Sequence, residues 1–204
     1  VYELVHEGVL QDFDPNDAEQ DPYPPRLEFK TITTDNQTAV LGTEDAELLI
    51  TRDGETWELI PRLVGLDGEG QECSGLGLSA LAHGSTGFVA VGSCGVHGTA
   101  WTSHDGLTWS QIPHDESSFG EPAWLNSITA NENGYVVGGR SGSDGELQTA
   151  TVWTSSDGIS WTRMVLGPTE AESGVLGVAI DDDAVVAVGW QGDDAAIWRS
   201  VLTK

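Results

Sequence analysis

Three sets of residues in this 204-residue chain have types and spacings that could do chemistry. The first is a run of hard oxygen donors, Asp12-x-Asp14-x-Asn16-Asp17-Ala18-Glu19-x-Asp21. Calcium takes such donors, yet the run lacks the glycine and the distal bidentate glutamate of a helix–loop–helix calcium loop. A weak calcium site at Asp12, Asp14, Asn16 and Asp17 and a plain solvated loop both fit it. The second set is the cysteine pair, Cys73 and Cys94. It suits either one disulfide in an exported protein or two buried thiols. The third is Trp124, Arg140 and Trp190, two indoles and a guanidinium, which could stack a sugar ring or anchor a protein partner. The same indoles could instead cap an inner rim of the fold. Of the five histidines, His6, His83, His97, His104 and His114, no two have zinc-type spacing. No metal site is assigned, and no cofactor is expected.

Composition narrows the function classes. The chain carries 33 Asp plus Glu against 8 Lys plus Arg, a formal net charge of −25. Such a surface repels nucleic acid and anionic lipid, and the few basic residues are scattered. Acidic, lysine-poor composition suits a salt-tolerant microbe. No apolar run approaches the roughly 18 residues of a membrane helix. A start at Val1 rather than Met leaves room for a leader upstream. No Gly-x-Ser-x-Gly elbow, phosphate loop or Cys–His constellation appears.

The elements that position these residues follow from an internal repeat. Thr51-Arg-Asp-Gly-Glu-Thr-Trp57, Ser103-His-Asp-Gly-Leu-Thr-Trp109 and Ser155-Ser-Asp-Gly-Ile-Ser-Trp161 align without gaps. A second element recurs upstream of each and once more near the end: Ala39-Val-Leu-Gly42, Val89-Ala-Val-Gly92, Val136-Val-Gly-Gly139 and Val186-Ala-Val-Gly189. Each unit reads as four strands with a two-residue Asp-Gly hairpin, and units of ~40–50 residues built this way are propeller blades. The expected fold is all-β: a propeller of four blades of four antiparallel strands. The blades are placed at 27–60, 75–112, 124–165 and 175–204, with an acidic linker at 9–26. Tyr2-Glu-Leu-Val5 matches Trp57-Glu-Leu-Ile60. Residues 1–8 are therefore expected to close the ring as the outer strand of blade 4. A larger ring made from two chains, or a section of a longer propeller, fits the same repeat.

The Ser/Thr-x-Asp-Gly-x-Thr/Ser-Trp turns resemble the Asp-box, or bacterial neuraminidase repeat, of sialidase-like propellers, shortened by one residue between Asp and Gly. The resemblance implies a structural role for Asp53, Gly54, Trp57, Asp105, Gly106, Trp109, Asp157, Gly158 and Trp161, with each tryptophan filling the gap towards the next blade. It also implies that the opposite face, built from linkers and loops, is where a ligand binds. Sialidase chemistry needs an arginine triad, a Tyr–Glu nucleophile pair and an acid. The six arginines and Tyr23, the one linker tyrosine, match none of these by context. The reading is an exported, extracellular or cell-surface binding and scaffold propeller for a protein or glycan, not an enzyme. A carbohydrate-active relative of the sialidases is the alternative. Alkylation without reductant should leave the intact mass unchanged if Cys73 and Cys94 are bonded. Two alkyl additions would show free thiols.

Overall fold

The computed structural model describes residues 28–67, 70–73, 75–113, 119, 122–142, 147–167, 170–181 and 184–201. The described residues form strands and turns, with no helix. The first sheet holds β1 (Phe29–Thr34), β2 (Ala39–Thr43), β3 (Leu48–Thr51) and β4 (Glu58–Ile60). The second holds β5 (Leu76–Gly84), β6 (Gly87–Cys94), β7 (His97–Ser103) and β8 (Ser110–Gln111). The third holds β9 (Ala123–Asn131), β10 (Gly134–Ser141), β11 (Thr149–Ser155) and β12 (Thr162–Val165). The fourth holds β13 (Ser173–Ile180), β14 (Ala184–Gln191) and β15 (Asp194–Val201). Each sheet is an antiparallel meander in chain order. The first strands of successive sheets, β1, β5, β9 and β13, lie beside one another, so the sheets are blades fanned about an axis. The chain is an all-β propeller.

Period-two alternation gives every blade two apolar faces, and the core is made where they meet. Val40, Leu48 and Ile50 of blade 1 pack on Leu81, Phe88, Ala90 and Trp101 of blade 2. Val89, Val91 and Ala100 leave the other face of blade 2 and meet Tyr135, Val137, Trp153 and Trp161 of blade 3. Ala150 and Val152 meet Val175 and Ala187 of blade 4, with Val178 and Trp198 alongside. In blades 2 to 4 the forward faces are aliphatic, and the large buried aromatic side chains all lie on the backward faces. Trp153 is fully buried, and losing such a side chain costs about 3–5 kcal/mol.

The Asp-Gly turns are wider than two-residue hairpins. Thr51 and Glu58 end the flanking strands in blade 1, and Ser155 and Thr162 do so in blade 3, leaving six residues in each corner. Only the glycine of each pair has positive φ, +75° at Gly54, +73° at Gly106 and +75° at Gly158. A type I′ turn needs two such residues, so the carboxylate builds a different corner. Asp157 Oδ1 accepts Ile159 N at 2.8 Å, Ser160 N at 2.7 Å and the Ser155 hydroxyl at 2.9 Å. Ser155 Oγ accepts Gly158 N at 2.8 Å. Asp53 and Asp105 repeat the pattern.

The box tryptophans face backward, not towards the next blade as expected. Trp109 packs with the cluster between blades 1 and 2, and Trp161 with the one between blades 2 and 3. A Cβ on Gly106 would stand 3.0 Å from Val40 and 3.1 Å from Ile50, both in the preceding blade. The turn itself therefore rests on its predecessor, and its indole follows.

The opening strand and the acidic linker, with Asp12, Asp14, Asn16 and Asp17, lie outside the described residues. Among the described residues no hydrogen bond or apolar cluster joins the first sheet to the fourth.

Backbone N–H donors hold the Asp157 carboxyl down to about 2 from its ordinary 3.8, and Asp53 likewise. A lowered carboxylate stabilises the fold fully above its unfolded pKa and loses that contribution as pH falls through the folded one. Asp157→Asn should therefore lower Tm by a few degrees at neutral pH, with the difference from wild type shrinking below pH 4 and vanishing near pH 2. Thermal melts across pH 2–7 check this, and a difference independent of pH would refute it.

Candidate functional site

The linker-and-loop face is reached at the start of each first strand and the end of each second one. A recurring backbone device shapes it. In blades 2, 3 and 4 the first strand slips register once, between Leu78 and Ala80, Leu125 and Ser127, and Val175 and Gly177. Each bulge presses a carbonyl, of Gly77, Trp124 or Gly174, against the glycine that ends the repeated Val-rich motif. A Cβ on Gly92, Gly139 or Gly189 would overlap that carbonyl. In these three blades the glycine that ends the motif is thus the receiver of a bulge, whereas in blade 1 that ladder position is Thr43 and Gly42 lies against Leu78.

In blade 3 the device sets up a side-chain pair. Trp124 and Arg140 face each other across β9 and β10. The guanidinium carbon of Arg140 lies 4.9 Å from the centroid of the Trp124 ring, cation–π geometry, and both residues are half-buried. Trp124, Arg140 and Trp190 all belong to strands, because the ladders of β9, β10 and β14 run further towards this face than the apolar pattern does. Trp190 occupies on blade 4 the place that Arg140 has on blade 3, and its indole covers Gly174. No ring contact or hydrogen bond among the described residues joins Trp190 to the Trp124–Arg140 pair.

Stacking on an aromatic ring sets Arg140 apart among the described arginines. Despite the 33 acidic residues, the one ion pair among the described residues is Lys30–Glu44, at 3.4 Å. Arg163 is drawn inward and donates to Ser141 Oγ at 2.8 Å, and Arg62 donates to the Asp45 carbonyl at 2.9 Å. Arg140 keeps its guanidinium on the indole with no carboxylate partner among the described residues.

Cys73 and Cys94 are joined in a disulfide, with Cα atoms 5.3 Å apart, tying the linker before blade 2 to the end of its second strand. Beside it lies a cavity of about 10 Å³ between Leu66, His97, Thr99, Gln111, Ile112 and Phe119, room for one water. No cluster of three metal-ligating side chains occurs among the described residues. Phe119 was not anticipated. It lies among Trp153 and Trp161, with centroids 5.9 and 5.5 Å away, and a lone aromatic in a polar linker was its only signal.

No family model matches the chain, and no curated protein does so. Similar solved structures include YCF48 bound to a D1 peptide (TM-score 0.56, 23% identity), covering 86% of this chain and 52% of that one. The computationally designed Ika4 protein is similar at TM-score 0.50 and 16% identity, over 88% of this chain and 94% of that one. YCF48 from Cyanidioschyzon merolae is similar at TM-score 0.50 and 15% identity, over 89% of this chain and 61% of that one. The chain thus spans about half to three-fifths of the length of the two YCF48 chains. At these identities the likeness establishes the propeller fold.

Gly139 holds both the ladder and the Trp124 carbonyl in place. Gly139→Ala should destabilise the protein by about 1–3 kcal/mol, the range for overpacking a close contact, and move the Trp124 fluorescence. Urea unfolding followed by tryptophan emission measures both. An unchanged midpoint would contradict the bulge account.

Proposed function

We propose that this propeller is a non-catalytic interaction module that holds a protein segment on its linker-and-loop face, with Trp124 and Arg140 as the anchor. The supporting observation is the Arg140 guanidinium stacked on the Trp124 indole, with no carboxylate partner among the described residues. In a chain of net charge −25, an arginine so placed offers its fork to a carboxylate or carbonyl of a bound chain. A half-buried indole supplies the apolar area that interface hot spots use. The structure of YCF48 with a D1 peptide supports a peptide as the kind of ligand such a fold takes. Export to the cell surface belongs to this reading, since the disulfide persists in oxidising compartments. Glycan binding is the second reading, favoured by the same indole, which can stack a sugar ring.

Selection of a displayed random-peptide library on the chain, with a glycan array and a fluorogenic sialoside assay alongside, tests the proposal. Selected peptides should bind Arg140→Ala and Trp124→Ala at least tenfold more weakly, about 1.4 kcal/mol, with sialoside turnover at background. Turnover abolished by Arg140→Ala would make the chain a glycosidase relative. Peptide binding indifferent to both substitutions would move the site elsewhere.

A further inference from the structure

The two ends of the blade stack carry complementary faces that the fold leaves uncovered. On the forward face of blade 4, Leu176, Val188 and Ile197 are 60%, 44% and 76% exposed. Their counterparts one blade earlier include Val152 at 4%, and two blades earlier Val91 at 0% and Ala100 at 1%. On the backward face of blade 1, Ile32 is 61% and Leu59 49% exposed, whereas Leu81, the counterpart of Ile32 in blade 2, is 6%. At the Ile197, Val188 and Ile32 positions the counterparts that have a neighbouring blade are therefore buried or half-buried, whereas these three residues stand open at the two ends.

A second set of observations concerns the outer half of blade 4. In the other three sheets a fourth strand pairs with the third, but β15 pairs only with β14 among the described residues. Next to it, between blades 3 and 4, runs a groove of about 410 Å³ lined by Val136, Thr154, Val185 and Ile180. Val136 and Thr154 are the register counterparts of Val40 and Ile50, and Val185 that of Phe88. Those three residues receive the box glycine Gly106 of blade 2. The groove is thus the seat of a fourth box. In the repeat, Tyr2 stands where Trp109 does.

We infer that a second copy of this chain covers these surfaces: blade 4 of each copy stacks forward on blade 1 of the other, closing one ring from two chains. Each junction sets the apolar forward face of one blade on the apolar backward face of the next, as happens three times within the chain, with Ile32 and Leu59 on the backward face, so it continues an interface the structure shows. Two identical head-to-tail junctions make a closed two-fold assembly rather than a filament. Self-closure requires blade 1 to abut blade 4 in one molecule, and among the described residues no hydrogen bond or apolar cluster joins them. The interface is apolar between two bodies of charge −25, so screening salt strengthens it.

The test is mass by light scattering on the full chain at micromolar concentration, in 50 and 500 mM salt. The expected result is twice the 21.6 kDa chain mass, with more dimer at the higher salt. Ile197→Glu and Ile32→Glu should each give folded monomer by near-ultraviolet circular dichroism, as both side chains are already exposed in one copy. Ile159→Glu, on an exposed box residue away from both ends, should leave the dimer intact. Mixing the Ile197→Glu and Ile32→Glu chains regenerates one unspoiled junction, so a heterodimer should form where neither variant dimerises alone. A monomer under both salts would assign the faces to the chain itself and overturn the inference. A dimer indifferent to both substitutions, or an assembly of another size, would do so equally.

Discussion

The fold depends on blade-to-blade stacking. A single four-stranded meander has two apolar faces and cannot bury both, so a repeat of this kind gains its stability from neighbours. Here the faces are unequal by design of the repeat: in blades 2 to 4 aliphatic side chains project forward, and the large buried aromatic side chains project backward. Shape makes the pairing directional. Trp101 and Trp153, both with 1% exposure or less, fill what would otherwise be wedge-shaped gaps as the blades fan apart. At about 25 cal/mol per Å², burying an indole contributes several kcal/mol, more than any polar contact in the structure. Ion pairs add almost nothing, because the lone described one is exposed on both partners.

The Asp corners serve that stacking. An outer strand must return to the rim while its tryptophan swings back over the preceding blade, and a tight hairpin cannot deliver this. One carboxylate oxygen gathers two backbone N–H groups and a hydroxyl, which organises a six-residue corner without help from distant residues. Trp109 Nε1 then donates to Gly106 O at 2.9 Å, and Trp161 Nε1 to Gly158 O at 3.2 Å, locking the indole to its own turn. The disulfide works differently. It joins residues 21 apart and, on the loop-entropy account, contributes about 3 kcal/mol by restricting the unfolded chain.

Blade number and strand order were legible in the sequence because each recurs in phase, so that errors in one copy are corrected by the others. The direction of the box indole was not, since a repeat fixes which residues are equivalent but not which neighbour they face. The strand ends at Trp124, Arg140 and Trp190 were hidden as well. There the apolar alternation stops at the bulge glycine, while backbone pairing continues for two more residues. A bulge leaves little trace in side-chain pattern. Its one trace is the glycine in Val89-Ala-Val-Gly92 and its repeats in blades 3 and 4, where the receiving position tolerates no Cβ. The Arg140–Trp124 stack was foreseen as a neighbourhood, but its pairing partner depends on ladder register, which turn composition alone did not specify.

The shape of the loop face bears on what it can hold. The cavity there admits a single water, and a larger groove of about 410 Å³ opens on the opposite, box side. What the loop face offers is an exposed, shallow surface with one fixed cation over one fixed ring, held by ladder hydrogen bonds rather than by mobile loops. Pre-organised anchors on a flat surface suit a ligand that brings its own extended area, because each additional residue adds contact while the anchor sets the register. A peptide segment has that property and a single metabolite does not.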